Sequence, residues 1–133
     1  MIIGWDTQLF SMVNFRNGNR WILIEGFLGP QAFECGVLLV YGPSDTRERK
    51  VLWEELWEVG QLCDRPLLVM GDFNEVRGPN ERKGGWIDHN SVDAFNGWID
   101  MMGLIDFKPN NMKYSWQRAG SASLLDRFLL SPA

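Results

Sequence analysis

The sequence predicts an α/β domain with a mixed sheet and amphipathic helices that cover the sheet's faces, and three observations carry that reading. Short runs of β-branched and aromatic residues fill the first third of the chain. Two later segments switch to helical spacing. Between them lies PLLVM, an apolar run too short for a helix and bounded by polar residues. Strands alternating with amphipathic helices need a layered packing in which each apolar face finds cover.

The elements follow in order. LFSMVNF, RWILIEGFL and FECGVLLVY are separated by RNGN and GPQA. Those separators are turn chemistry, so the first third reads as a β-meander. After YGPSD the period changes, and Leu52, Leu56 and Val59 recur at helical spacing with Trp53 and Trp57 beside them. Asp45, three residues before Glu48, suits a capping box at the start of this helix, and Gly60 marks its end. PLLVM, opening on Pro66, has the pattern of a strand buried on both faces. A polar, glycine-rich loop follows. NSVDAFNGWIDMMGLIDF then sets Val92, Phe95, Ile99 and Met102 on one helical stripe, with Asn90 or Ser91 as N-cap. KYSWQR and LLDRFLLS read as two closing strands. Nothing resembling a repeat or linker divides the chain, so residues 1–133 read as a single domain.

Composition bounds the function. A chain of 133 residues, 45% of them hydrophobic, supports one packed core and not two. Net charge is -4, with basic residues grouped only at Arg47 to Lys50 and Arg77 to Lys83, which argues against tight, nonspecific binding of DNA. Cys35 and Cys63 lack metal-type spacing and read as buried, reduced thiols. Met1 to Trp5 lacks the basic flank of a secretory signal, and no run approaches the roughly 20 apolar residues of a membrane span. The expectation is a soluble, intracellular protein.

The chemistry concentrates where strands end. If the PLLVM strand continues through Gly71 to Asn74, alternation puts Asp72 and Asn74 on one side and Phe73 on the other. Two polar groups then meet at the carboxyl end of a strand, where ligands of α/β sheets usually bind. The other reading is that the pair only builds a turn. Tyr41 ends its own strand just before Gly42-Pro43 and can reach the same edge. In LLDRFLLS, alternation sets Asp126 on the face of Leu124, Phe128 and Leu130, away from Arg127, so Asp126 needs a polar partner from elsewhere.

VYGP (40–43), PLLVMGDFNEVRGPNERKGG (66–85), YSW (114–116) and LLDRFLLSP (124–132) together resemble the endonuclease/exonuclease/phosphatase superfamily. More closely, they are similar to the endonuclease domain of plant LINE-type non-LTR retrotransposons, in order over nearly the whole chain. The resemblance implies a partial four-layer α/β sandwich, two mixed sheets flanked by helices, without the first and last strands. It implies Mg²⁺-dependent attack of water on a phosphodiester, with DNA as partner and the nucleus as a location. Asp72 would orient or deprotonate the water, Asn74 would hydrogen-bond the phosphate, and Tyr41 and Ser115 would contact it. Asp126 would orient a catalytic histidine.

That histidine, in a Ser-Asp-His segment, lies beyond Ala133 in the family pattern, and the metal-binding glutamate lies upstream of MIIGWDTQLF. No metal ligand is therefore assigned within this chain. Leu124 also stands where relatives carry arginine. The single histidine, His89, reads as an exposed loop residue, and Glu75 and Glu81 are poor substitutes for the metal ligand. Arg77, Arg82 and Lys83 can touch a nucleic-acid backbone, or simply solvate their loop. Two functions follow: a retroelement-derived piece of a DNA endonuclease, incomplete by itself, or a nonenzymatic remnant that binds nucleic acid weakly. Incomplete sheets should also leave edges and apolar faces that favour self-association.

Overall fold

The computed structural model describes Met1, residues 3–108 and residues 113–132. β1 (Phe10–Asn17), β2 (Trp21–Leu28) and β3 (Phe33–Tyr41) form the antiparallel meander. α1 (Thr46–Gln61) crosses over to β4 (Leu67–Asp72), which lies parallel to β3. A 3-10 turn (Pro79–Glu81) leads into the two-residue β5 (Arg82–Lys83), and α2 (His89–Met102) and β6 (Ile105–Phe107) follow. The chain then forms a hairpin from β7 (Trp116–Arg118) and β8 (Ser121–Ser123), and ends in β9 (Asp126–Leu130). The main sheet has the order β1-β2-β3-β4-β9-β6, and β5-β8-β7 makes a small second sheet. Among the described residues no helix is long and apolar enough to cross a membrane.

Both helices lie on one face of the main sheet. Leu52, Trp53, Leu56 and Val59 of α1 and Phe95, Trp98 and Ile99 of α2 pack on Leu23, Leu38, Val40, Val69 and Leu129. Aromatic rings interlock at the centre: Trp53 stacks on Trp98 at 5.1 Å between ring centres and lies 5.0 Å from Phe95, with Phe73 beside them. Asp45 caps α1 as its sequence context predicts, accepting from the Arg47 and Glu48 amides. The cap of α2 is Asp88 rather than Asn90 or Ser91; its carboxylate accepts from the Ser91 amide at 3.1 Å, so the helix starts earlier than its apolar stripe. Gly103, with φ 67°, ends it in the left-handed conformation glycine adopts freely.

The opposite face differs from the sequence expectation. PLLVM is central in the sheet, but only Leu67 and Val69 are buried under the helices, while Leu68 and Met70 are half-buried on the far side. Cross-strand register builds two apolar rows there: Ile22, Leu39, Met70, Phe128 and Phe107, and Ile24, Val37, Leu68, Leu130 and Ile105. Phe10 and Ile3 cover the β2–β3 end of those rows. Toward β9 and β6 the rows stand open.

The closing segments also depart from two simple strands. KYSWQR contributes only β7, and Leu124 and Leu125 form a buried link ahead of β9, so Leu124 does not share a strand face with Asp126. Cys35 and Cys63 are free thiols, and burial pushes both above the ordinary thiol pKa.

Glu81, expected in a solvated loop, is instead buried. It ion-pairs with Arg127 and with Lys108 at 2.6 Å and accepts from the Arg77 amide at 2.7 Å. Arg127 also reaches Asp106 at 2.7 Å. Arg127 faces the helix side and Asp126 the other, as adjacent strand residues must.

Candidate active site

Three strand ends lie side by side. Because β3 and β4 are parallel, their carboxyl ends coincide, and Tyr41 pairs in register with Asp72. β9 runs antiparallel to β4 and begins at this edge, so Asp126 pairs with Asp72. Tyr41, Asp72 and Asp126 therefore form one polar row at the end of the two apolar rows.

Asn74 joins them by a route that alternation does not supply. β4 stops at Asp72, and the Asp72 Oδ1 accepts from the Asn74 amide at 2.9 Å, closing a turn with Asn74 at φ 54°. Left-handed backbone is one that asparagine tolerates better than most residues. The Asn74 Nδ2 then donates to the Gly42 carbonyl at 3.0 Å, while the Gly42 amide donates to the Asp72 carbonyl at 2.6 Å. These bonds leave the Asn74 amide oxygen unused. Turn-building and site-building are thus the same act. Gly42 is required because a Cβ there would sit 2.1 Å from the Phe73 carbonyl oxygen, and Gly71, at φ 137°, because a Cβ would sit 2.0 Å from that of Val40.

Two supports, one buried and one half-buried, hold this edge. Arg49 donates to the Pro43 and Ser44 carbonyls at 3.1 and 2.8 Å, and to Glu75 and Ser91 at 3.0 and 3.1 Å. One guanidinium therefore ties the loop after β3 to the turn after β4. Sequence reading overlooked Arg49, yet a signal existed: it stands three, four and seven residues before Leu52, Trp53 and Leu56, on the helix's buried stripe. The second support is Ser115, whose hydroxyl accepts from the Leu125 and Asp126 amides at 2.8 and 3.0 Å and so fixes the start of β9.

Tyr41 and Asp72 open into a crevice of about 510 Å³ that Asn74, Arg82, Lys83, Trp86 and Trp116 also line, whereas Asp126 and Ser115, expected at the same site, do not line it. Of the three basic loop residues, Arg82 and Lys83 reach this crevice. Arg77 turns elsewhere, bonding Asn96 at 2.7 Å and Asp106 at 3.4 Å. His89 opens α2, exposed, and does not line the crevice. Partial burial raises the Asp72 pKa above the usual carboxylate value, and the neighbouring Asp126 charge adds to this, against the lowering effect of the Asn74 amide. Among the described residues no three His, Cys, Asp or Glu side chains group as metal ligands. Asp72 and Asp126, paired in register, offer two carboxylates, a donor set that Mg²⁺ accepts when water and substrate oxygens complete its shell.

The fold is shared, in part, with solved structures of the endonuclease/exonuclease/phosphatase class. The endonuclease domain of TRAS1, a telomere-specific non-LTR retrotransposon, superposes with a TM-score of 0.63 at 17% identity, over 85% of this chain and 51% of that one. An endonuclease/exonuclease/phosphatase family protein from Bacteroides thetaiotaomicron gives 0.55 at 17% identity, over 96% and 52%. Truncated Caenorhabditis elegans TDP2 gives 0.58 at 15%, over 95% and 54%. The chain spans about half the length of each. No family model and no curated protein sequence matches it.

Proposed function

We propose that this chain carries the phosphodiester-holding part of a retroelement-type DNA endonuclease site and does not cut DNA unaided. The observation that supports this best is the meeting of Tyr41, Asp72 and Asn74 in one crevice, with Asp126 in register beside Asp72 on the adjacent strand. In this reading the Tyr41 hydroxyl and the Asn74 amide meet the phosphate oxygens without adding negative charge. Asp72 accepts a proton from the attacking water. Asp126 would orient a further base, and the chain's only histidine does not line the crevice. Asp72 and Asp126 would hold Mg²⁺ in this reading, which would supply charge neutralisation at the phosphate when bound.

Plasmid nicking in Mg²⁺ tests the proposal. Removing members of a catalytic set that acts as a unit leaves only a small residue of rate, so the purified chain should cleave negligibly. Tyr41→Phe should still weaken binding of a short oligonucleotide about fivefold, the loss of one hydrogen bond. Cleavage that vanishes in Asp72→Ala would overturn the view that the chain is catalytically incomplete. A second reading, a nonenzymatic remnant that binds nucleic acid weakly, is favoured by the cations Arg82 and Lys83 in the crevice. It predicts binding insensitive to Tyr41→Phe.

A further inference from the structure

We propose that Trp86 and Trp116 form a nucleobase-stacking subsite at the rim of the crevice, so that the site takes a nucleotide whose base is unpaired. The inference rests on the phosphodiester reading above and adds what lies beside the phosphate.

Trp86 is 80% exposed, more than any other tryptophan described. Its backbone is nevertheless fastened. Arg82 donates from Nη1 to the Trp86 carbonyl at 2.9 Å and from Nε to the Ser123 hydroxyl at 3.1 Å. The Ser121 hydroxyl donates to the Gly84 carbonyl at 2.6 Å, so the loop ahead of Trp86 is stapled to β8. A large apolar ring thus stands in water on an anchored stretch of backbone, although tryptophans are highly buried on average. Trp116, on the neighbouring β7, is also exposed and lines the same crevice.

The surroundings suit a nucleotide. Every base has a π-face that stacks on an indole, while the backbone needs cations within reach. Arg82 and Lys83 supply cations in the same crevice, and Asn74 and Tyr41 stand at its floor. Lys83 also borders a second hollow of about 420 Å³, shared with Tyr114 and Arg118, which extends the track along the hairpin. A base inside a duplex is already stacked on both sides and would have to be pulled out first. Two exposed rings beside a phosphate site therefore favour single-stranded or unpaired nucleotides.

Fluorescence polarisation in EDTA tests this without requiring cleavage. The probes are a labelled eight-nucleotide single strand, the same strand built of abasic residues, and the corresponding duplex. The wild-type chain should bind the base-bearing strand about tenfold or more tighter than the abasic one, and the duplex more weakly than the single strand. Trp86→Ala should bring the base-bearing strand close to the abasic level while leaving abasic binding unchanged. Trp86→Phe should retain most of the preference, and Trp5→Ala, outside the crevice, should change nothing. Equal wild-type affinity for base-bearing and abasic strands would overturn the stacking subsite and leave the phosphodiester reading standing. Equal loss on both strands in Trp86→Ala would likewise overturn it. Binding to neither strand would sink both proposals.

Discussion

Asp72 holds three tasks in one carboxylate. Its Oδ1 closes the turn that presents Asn74, its charge faces that of Asp126, and its pKa is raised by burial and by that neighbour. A carboxyl whose folded pKa exceeds its unfolded value keeps its proton longer in the native state. The native state is then destabilised as pH rises from about 4, the unfolded value, through the folded value, and the penalty persists above it. Asp72→Asn removes the charge and keeps an oxygen able to accept from the Asn74 amide. It should leave stability unchanged near pH 3 and raise it at pH 7, by less than about 1 kcal/mol because the crevice opens to solvent. Thermal melts at the two pH values check this; a loss at pH 7 would show that the charge is compensated in the fold. Phe73, between the two polar residues, does the opposite work by entering the aromatic core, so one tetrapeptide anchors the sheet and builds its edge.

At the scale of elements, the β5 loop is moored to the main sheet through charge. Glu81 meets Arg127 of β9 and Lys108 after β6, and Asp106 of β6 shares Arg127. Burial acts to raise the Glu81 pKa, but the hydrogen bonds from Arg127, Lys108 and the Arg77 amide prevail and lower it. Its contribution to stability is therefore present above about pH 4.3 and is lost as pH falls through the lowered folded value. Glu81→Gln leaves Arg127 buried with half its compensation gone and should cost about 3–5 kcal/mol at neutral pH, read from urea unfolding. A cost under about 1 kcal/mol would mean that Asp106 alone satisfies Arg127. None of this network was legible in the sequence, since Glu81, Asp106 and Arg127 belong to separate elements and no local period links them. What was legible is what local chemistry dictates: the meander from its turn residues, α1 from its stripe and Asp45, and strand-edge polarity from Asp72, Tyr41 and Asp126. Asp88 was missed because the apolar stripe of α2 begins after its cap. Asn74 reached its place by turn geometry rather than by the alternation first applied to it, because the strand stops two residues sooner.

For the whole molecule the governing asymmetry is between the two faces of the main sheet. One carries both helices and the aromatic core; the other offers two apolar rows that are covered near β1 and open toward β6. Phe107 is 57% exposed and Phe128 37% on that open part, with Ile105 and Leu130 beside them. Contiguous apolar surface of this kind marks an interaction site or an aggregation liability. A second copy is a suitable occupant, because stacking two such faces about a twofold axis lays apolar rows on apolar rows. Among the described residues β6 is the edge strand of the sheet, beside the same patch. We therefore expect concentration-dependent self-association in sedimentation, through the face and not the crevice. Phe107→Glu should shift the chain toward monomer and melt like the parent at concentrations where the parent is itself monomeric, since the side chain is already largely in water. A Trp86→Ala chain should associate as the parent does. A parent chain that sediments as a monomer at all concentrations, with a sharp cooperative melt, would show that this face is content in water and that the helix-side core alone holds the fold.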